Sequence, residues 1–212
     1  MSEIIVQGTE AWFKCRAGKV TASRVADVIA KTKSGYSTSR QNYAAELLCE
    51  RLTGVCPPGF TNDAMRWGTE QEPFARQAYE ARYGVEVYEV GFVDHPEIAM
   101  SGASPDGYVG ESGLVEIKCP LTATHLDTLL TGSVPGKYMT QIQWQLACTG
   151  REWCDFASFD PRLPEAMRLF VTRIPRDVSM ILELETEVAG FVRNLDADVA
   201  DLRRRYELPA AA

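Results

Sequence analysis

Two carboxylates and an ammonium lie close together in this sequence, in Ser104-Pro105-Asp106-Gly107 and Glu116-Ile117-Lys118. On a short strand side chains alternate, so Glu116 and Lys118 share one face while Ile117 turns to the core. With Asp106 at the start of the neighbouring strand, both carboxylates converge on one hard cation and the lysine lies beside it. That set suits metal-assisted cleavage of a phosphodiester: Mg²⁺ prefers oxygen ligands, and a nearby ammonium orients water or offsets developing charge. A Glu-x-Lys alone reads far more readily as a charge pair on the solvent face of a strand. The apolar flanks Val115 and Ile117, and a Pro-Asp at this distance, argue for a site.

Three further elements extend the constellation. Trp67-Gly68 precedes Glu72, which supplies a third carboxylate from a helix. The helix around Gln141-Ile142-Gln143 presents amides that can donate to phosphate oxygens. Arg16, with Thr21 and Ser23 behind it, offers a guanidinium and hydroxyls of the kind that grip a terminal phosphate. Each has an ordinary alternative: a solvated helix charge, a surface amide, a salt-bridge partner.

The elements that must position these residues can be read from periodicity. Thr21-Ala22-Ser23 precedes a helical pattern through Lys31, with Val25, Val28 and Ile29 on one face, which stops at Ser34-Gly35. A second helix spans about Ser39 to Leu52, ended by Gly54 and Pro57-Pro58. Asn62 caps a third, which Pro73 either kinks or restarts before Tyr83-Gly84. The pattern then switches to strands: Val85 to Val93, a turn at Asp94-His95-Pro96-Glu97, then Ile98 to Ala103, Gly107 to Val109 and Leu114 to Cys119. Pro135 to Thr149 reads as a helix, and Glu152 to Phe159 and Met167 to Ile174 as strands. Asp177 to Tyr206 is a long helix whose apolar seam, from Ile181 through Leu195 to Tyr206, packs on its own domain or on another subunit. The fold class is α/β (α+β), with a central mixed β-sheet flanked by helices and a long C-terminal helix.

At 212 residues, 45% hydrophobic and 24% charged, the chain suits one well-buried domain, 1–212. It has no apolar run of membrane-spanning length, and Met1-Ser2-Glu3-Ile4 lacks a signal-peptide pattern. Six cysteines without a Cys-x-x-Cys pair, and only His95 and His125 beside them, indicate neither a disulfide framework nor a zinc site. A reduced, cytoplasmic protein is expected. The net charge of −7 hides an asymmetry. Between Trp12 and Arg40 seven basic residues face one acid, Asp27, so this stretch carries +6 and the remainder −13. Such a stretch tracks phosphates or is simply a solvated helix face. Arg203-Arg204-Arg205 likewise touches DNA or complements a helix dipole.

Taken in order, these residues resemble the bacteriophage lambda exonuclease group, the YqaJ-like viral recombinases of the restriction-endonuclease-like nuclease superfamily. The resemblance runs from Trp12-Phe13-Lys14-Cys15-Arg16 and Val20-Thr21-Ala22-Ser23 through Arg66-Trp67-Gly68 to Glu72. It continues through Ser104-Pro105-Asp106-Gly107, Glu116-Ile117-Lys118-Cys119-Pro120 and Tyr138-Met139 to Gln143, ending near Phe159-Asp160-Pro161-Arg162. It implies a restriction-endonuclease-like core in which Asp106, Glu116 and the backbone carbonyl of Ile117 hold metal, with Glu72 near a second position. Two Mg²⁺ ions are implied, with Mn²⁺ as a substitute. Lys118 would position the attacking water, and Arg16, Ser23, Ser104 and Gln141 would hold the 5′-phosphate of the digested strand. The implied activity is 5′-to-3′ digestion of one strand of double-stranded DNA to mononucleotides, leaving 3′ overhangs for recombination by strand annealing.

A ring-shaped homotrimer around DNA and a single-strand annealing protein are the implied partners. The resemblance is thinnest over Ser34 to Arg40, where Tyr36 and Arg40 are candidates for separating strands, over the Pro57-to-Asn62 loop, and along the final helix. The alternatives are a nicking or structure-selective endonuclease of the same superfamily, or a non-catalytic DNA-binding protein that kept the fold.

Overall fold

The structure, a computed structural model, describes residues 5–33, 35–56 and 62–206. It opens with α1 (Glu10–Arg16), capped by the Thr9 side chain, which accepts the Trp12 N–H. β1 (Val20–Thr21) follows, then a 3₁₀ turn over Ala22–Arg24 and α2 (Val25–Ile29), which buries Val25 and Val28. The helix expected after Ser23 and through Lys31 is therefore shorter at its C-terminal end. Thr21, before it, pairs in parallel with Gly102, and Lys31 opens a small hairpin of β2 (Lys31–Thr32) and β3 (Gly35–Tyr36). At Lys31 strand pairing overrides helical spacing.

α3 (Thr38–Thr53) ends at Gly54, whose φ of 70° is the left-handed cap conformation that glycine adopts without strain. α4 (Asp63–Tyr83) begins on the Asn62 cap and runs unbroken through Pro73. Pro73 is exposed, so water can satisfy the carbonyl that its missing N–H leaves free. The loop from Pro57 to Thr61, and Ser34, lie outside the described residues.

Strand residues then alternate with irregular backbone: β4 (Val87–Tyr88), β5 (Val93–Asp94), β6 (Ser101–Ala103), β7 (Gly107–Val109) and β8 (Gly113–Lys118). The first three are shorter than the sequence suggests. α5 (Thr122–Thr131), which no expectation covered, precedes α6 (Gly136–Thr149). β9 (Trp153–Phe159), β10 (Leu169–Pro175) and α7 (Val178–Arg205) complete the chain.

The main sheet has the order β10-β9-β8-β7-β4; β8 and β9 are parallel and the other pairs antiparallel. Its two faces follow from the alternation along β8. Val115 and Ile117 pack with Ala75 and Tyr79 of α4, while Leu114 packs with Ile142 and Leu146 of α6. A second sheet, β1-β6-β5, sits beside α2, α6 and α7.

On α7, Leu184, Val188 and Phe191 enter the same core as Val20, Val28 and Trp144, so the apolar seam packs on its own chain. Each such burial contributes about 1.5–3 kcal/mol. The expected architecture, a mixed sheet between helices with a long final helix, is the one observed. Among the described residues no helix is long and apolar enough to cross a membrane.

Candidate active site

The site is assembled where β7 and β8 pair. Gly107 lies opposite Val115, which brings Asp106 alongside the end of β8, and the Ile117 N–H donates to Asp106 Oδ2 at 2.6 Å. Gly107 is required there: a Cβ would stand 2.2 Å from Val87 Cγ1. Glu116 is completely buried on the α6 face. Gln141 Nε2 donates to its Oε1 at 2.6 Å, Gln145 Nε2 to its Oε2 at 2.6 Å, and Lys118 Nζ pairs with Oε1.

The electrostatics follow from this crowding. Burial, and then the charge of Glu116, push the Asp106 carboxyl well above its ordinary range, with Lys118 opposing. Burial disfavours the Lys118 charge, yet Glu116 and Asp106 outweigh it and raise its pKa, so Lys118 is an ammonium. Burial also raises Glu72, against the pull of Arg76, whose Nη2 lies 3.3 Å from Glu72 Oε1. The same guanidinium pairs with Glu89 and lies 3.5 Å from the Asp106 carbonyl oxygen. Glu72 therefore bears on the carboxylate pair through its field while held in an ion-pair network.

Among the described residues, no three His, Cys, Asp or Glu side chains stand close enough together to hold a metal ion by themselves. The donor chemistry nevertheless fits a hard cation. Asp106 and Glu116 supply neighbouring carboxylate oxygens, and the nearby Cys119 thiol, pushed up to about 12 chiefly by burial, is no thiolate competitor.

The four residues expected to bind phosphate come together. Arg16, Ser23, Ser104 and Gln141, with Trp12 and Thr21, line a pocket of about 170 Å³. Arg16 has no carboxylate partner among the described residues, and burial lowers its pKa, so an anion entering here meets a poorly compensated cation. By contrast, Lys14, Lys19, Arg24, Lys31 and Arg40 are all paired with acids. The basic stretch is thus largely neutralised, and Arg16 is what it leaves facing a pocket.

Arg40 is a clasp between helices: it is buried, donates to the Val28 carbonyl and lies 3.7 Å from the Tyr36 ring centroid and 4.9 Å from that of Phe191. Tyr36 is exposed, with its hydroxyl on Glu187 at 2.7 Å. At the far end of α7, Arg204 and Arg205 pair with Asp201.

Several contributors were not anticipated. Trp12 donates its indole N–H to Ser104 Oγ at 2.9 Å and carries the Arg16 guanidinium 3.8 Å above its ring, so it ties two phosphate-pocket residues together. The signal was available: Trp12 and Arg16 are four apart on α1. Gln7 donates to the Val90 and Pro105 carbonyls at 3.0 and 2.8 Å, fastening the segment before Asp106. Gln7 and Trp12 also border a larger chamber of about 630 Å³ whose walls include Glu72, Arg76 and Asp106. The smaller pocket and this chamber thus meet at Gln7 and Trp12.

Comparison with known proteins decides the kinship. Residues 11–152 match the YqaJ-like viral recombinase domain. The chain belongs to this family. Its fold is that of the alkaline exonuclease LHK-Exo from Laribacter hongkongensis, at 54% identity over 94% of this chain and 98% of that one, with a TM-score of 0.87. A second structure of LHK-Exo, in complex with dAMP, superposes with a TM-score of 0.88 at the same identity and coverage. A phage-related exonuclease from Haemophilus somnus 129PT shares the fold at 16% identity, with a TM-score of 0.68 over 87% of this chain and 96% of that one. An uncharacterized protein, R354, of Acanthamoeba polyphaga mimivirus is 26% identical over 71% of this chain, which spans 28% of that protein's length.

Proposed function

We propose that this member of the YqaJ-like family is a Mg²⁺-dependent 5′-to-3′ exonuclease that digests one strand of double-stranded DNA from its ends, with residues 1–212 forming one nuclease domain. The observation that carries the reading is the adjacency of two sites. A phosphate-sized pocket, whose Arg16 guanidinium forms no ion pair among the described residues, abuts the carboxylates of Asp106 and Glu116 with a charged lysine. A terminal phosphate bears more charge and less bulk than an internal one, so a small cationic pocket selects ends. Kinship to an alkaline exonuclease supports nuclease chemistry, and a dAMP complex of that relative is consistent with mononucleotide products.

Asp106, Glu116, the Ile117 carbonyl and Glu72 would hold Mg²⁺, two ions in all, with Mn²⁺ able to substitute. Bound there, the metal would supply a nucleophile at neutral pH and charge compensation at the departing oxygen. The chain's own residues do the rest. Lys118, fixed as an ammonium, donates to the attacking water or to a phosphate oxygen and offsets the charge that builds there. Arg16, Ser23, Ser104 and Gln141 grip the 5′-phosphate. Because Gln141 also bonds Glu116, and Ser104 lies two residues from Asp106, seating the end registers the next phosphodiester against the centre. Further partners in this reading are a second and third copy of the chain in a ring, and a single-strand annealing protein that loads on the 3′ strand for recombination.

The test compares linear duplexes ending in 5′-phosphate or 5′-hydroxyl, and a covalently closed circle, each with and without Mg²⁺. Mononucleotide release from the phosphorylated linear duplex alone, only with Mg²⁺, is expected. Cleavage of the closed circle would favour the endonuclease reading instead, and no cleavage of any substrate would favour a DNA-binding protein without catalysis.

A further inference from the structure

We infer that Gln145 is a positioning residue for the reaction, holding the Glu116 carboxylate in the orientation from which it meets a hard cation. This deepens the metal-dependent reading above and rests on it.

The two Glu116 oxygens are treated differently. Oε1 receives Gln141 and Lys118, both of which have other work: Gln141 lines the phosphate pocket, and the Lys118 side chain is 27% exposed at the reaction centre. Oε2 receives Gln145 at 2.6 Å. Gln145 is completely buried, as is Glu116, and lines neither the smaller pocket nor the larger chamber. It sits one helical turn beyond Gln141 on α6, so the same helix face supplies both amides. Its position is otherwise unfavourable, because its Oε1 is buried with no hydrogen-bond partner among the described residues.

An unsatisfied buried amide oxygen is a cost that packing does not explain; an anchored carboxylate explains it. With Oε2 pinned in the interior, the carboxylate cannot swing. Oε1 is then the oxygen whose donors can be exchanged, since Gln141 and Lys118 both reach the pocket or the centre. Groups that orient a ligand in this way change metal affinity by about 10–100-fold when removed.

The experiment measures Mn²⁺ binding to the full chain without DNA, by electron paramagnetic resonance, together with the Mg²⁺ concentration giving half-maximal cleavage. Gln145→Met keeps the volume and removes the donor. About tenfold weaker Mn²⁺ binding is expected, with a similar rise in the Mg²⁺ requirement and an unchanged ratio of rates on 5′-phosphate and 5′-hydroxyl ends. Gln145→Asn, which keeps an amide on a shorter arm, should fall between Met and wild type, and it carries the test if the Met variant does not fold. Wild-type Mn²⁺ affinity in the variant, alongside its loss in Glu116→Gln, would overturn the role of Gln145 alone. Wild-type Mn²⁺ affinity in Glu116→Gln would overturn the metal centre itself, and this inference with it.

Discussion

The proposed reaction centre and the proposed phosphate pocket share a boundary but are built from different parts of the fold. Glu116 and Lys118 stand on β8 of a five-stranded sheet packed on both faces by helices, and Asp106 lies in the bend that opens β7. Arg16, Ser23 and Ser104 come from a seven-residue helix, a 3₁₀ turn and a loop, and Gln141 joins them from α6. The difference matches the tasks. Charge stabilisation depends on groups that cannot relax away from the reacting atoms, so it belongs on the sheet. Recognition of a strand end must admit and release a chain at every turnover, which shorter elements at the surface allow.

The largest expected effect lies in the centre. Lys118→Met should slow hydrolysis by about 10²–10³-fold, because it removes a positioned charge from a buried site. The loss should be alike on phosphorylated and hydroxyl ends, measured as single-turnover release of nucleotide. A loss confined to phosphorylated ends would move Lys118 into the phosphate pocket and erase the division between the two regions.

The two regions were also legible to different degrees. β8 announced itself because Val115 and Ile117 bracket Glu116 with period two, and the observed strand and its two faces follow that pattern. The long α7 was equally clear from its three- and four-residue spacing. The first third of the chain was harder. Lys31 carries helix-compatible spacing but enters a short hairpin with Tyr36, and Thr21 pairs with Gly102, a partner too distant in sequence for any local pattern to reveal. α5 was missed because His125 and Thr128 are polar residues buried on it: His125 Nδ1 bonds Ser158 Oγ at 2.7 Å, so its buried face does not look apolar. The resemblance carried the phosphate residues to one place, whereas Trp12, Gln7 and Gln145 act through contacts that only the fold displays.

Arg16→Ala is the corresponding cut in the pocket. A hydrogen bond from a charged donor contributes about 1.5–3 kcal/mol, so the rate on 5′-phosphorylated duplex should fall about 10–100-fold. The fall on hydroxyl ends should be far smaller, and thermal stability should change little because Arg16 forms no ion pair with a carboxylate among the described residues. An equal loss on both ends would show that the pocket does not read the phosphate.

A stability measurement sharpens the contrast from the sheet side. Asp160, at the end of β9, is buried and receives a two-pronged bond from Arg162 at 2.8 and 2.9 Å. Burial raises its pKa, but Arg162 and Thr122 outweigh this and hold it at about 2, against an ordinary value of 3.8. A carboxylate whose folded pKa is depressed contributes stability in full above the unfolded value, and loses it as pH falls through the folded one. The contribution is about 1–3 kcal/mol. Asp160→Asn should therefore be less stable than wild type by that amount at pH 7 in urea titrations, with the gap closing between pH 4 and pH 2. A gap that stays constant across this range would assign the loss to packing rather than to charge.

The smallest expected effect tests whether the pocket has any internal order. Trp12→Phe keeps an aromatic ring under Arg16 and removes the indole N–H that Ser104 accepts. A neutral hydrogen bond contributes about 0.5–1.5 kcal/mol, so the rate on phosphorylated ends should fall roughly 2–10-fold, with less change on hydroxyl ends. Trp12→Leu removes the ring as well and should approach the Arg16→Ala phenotype. If Phe and Leu behave alike, stacking contributes nothing and Trp12 acts only through Ser104. If Phe matches wild type while Leu does not, the guanidinium's seat on the ring is what shapes the pocket, and Ser104 finds its place from the strand-linked backbone before Asp106.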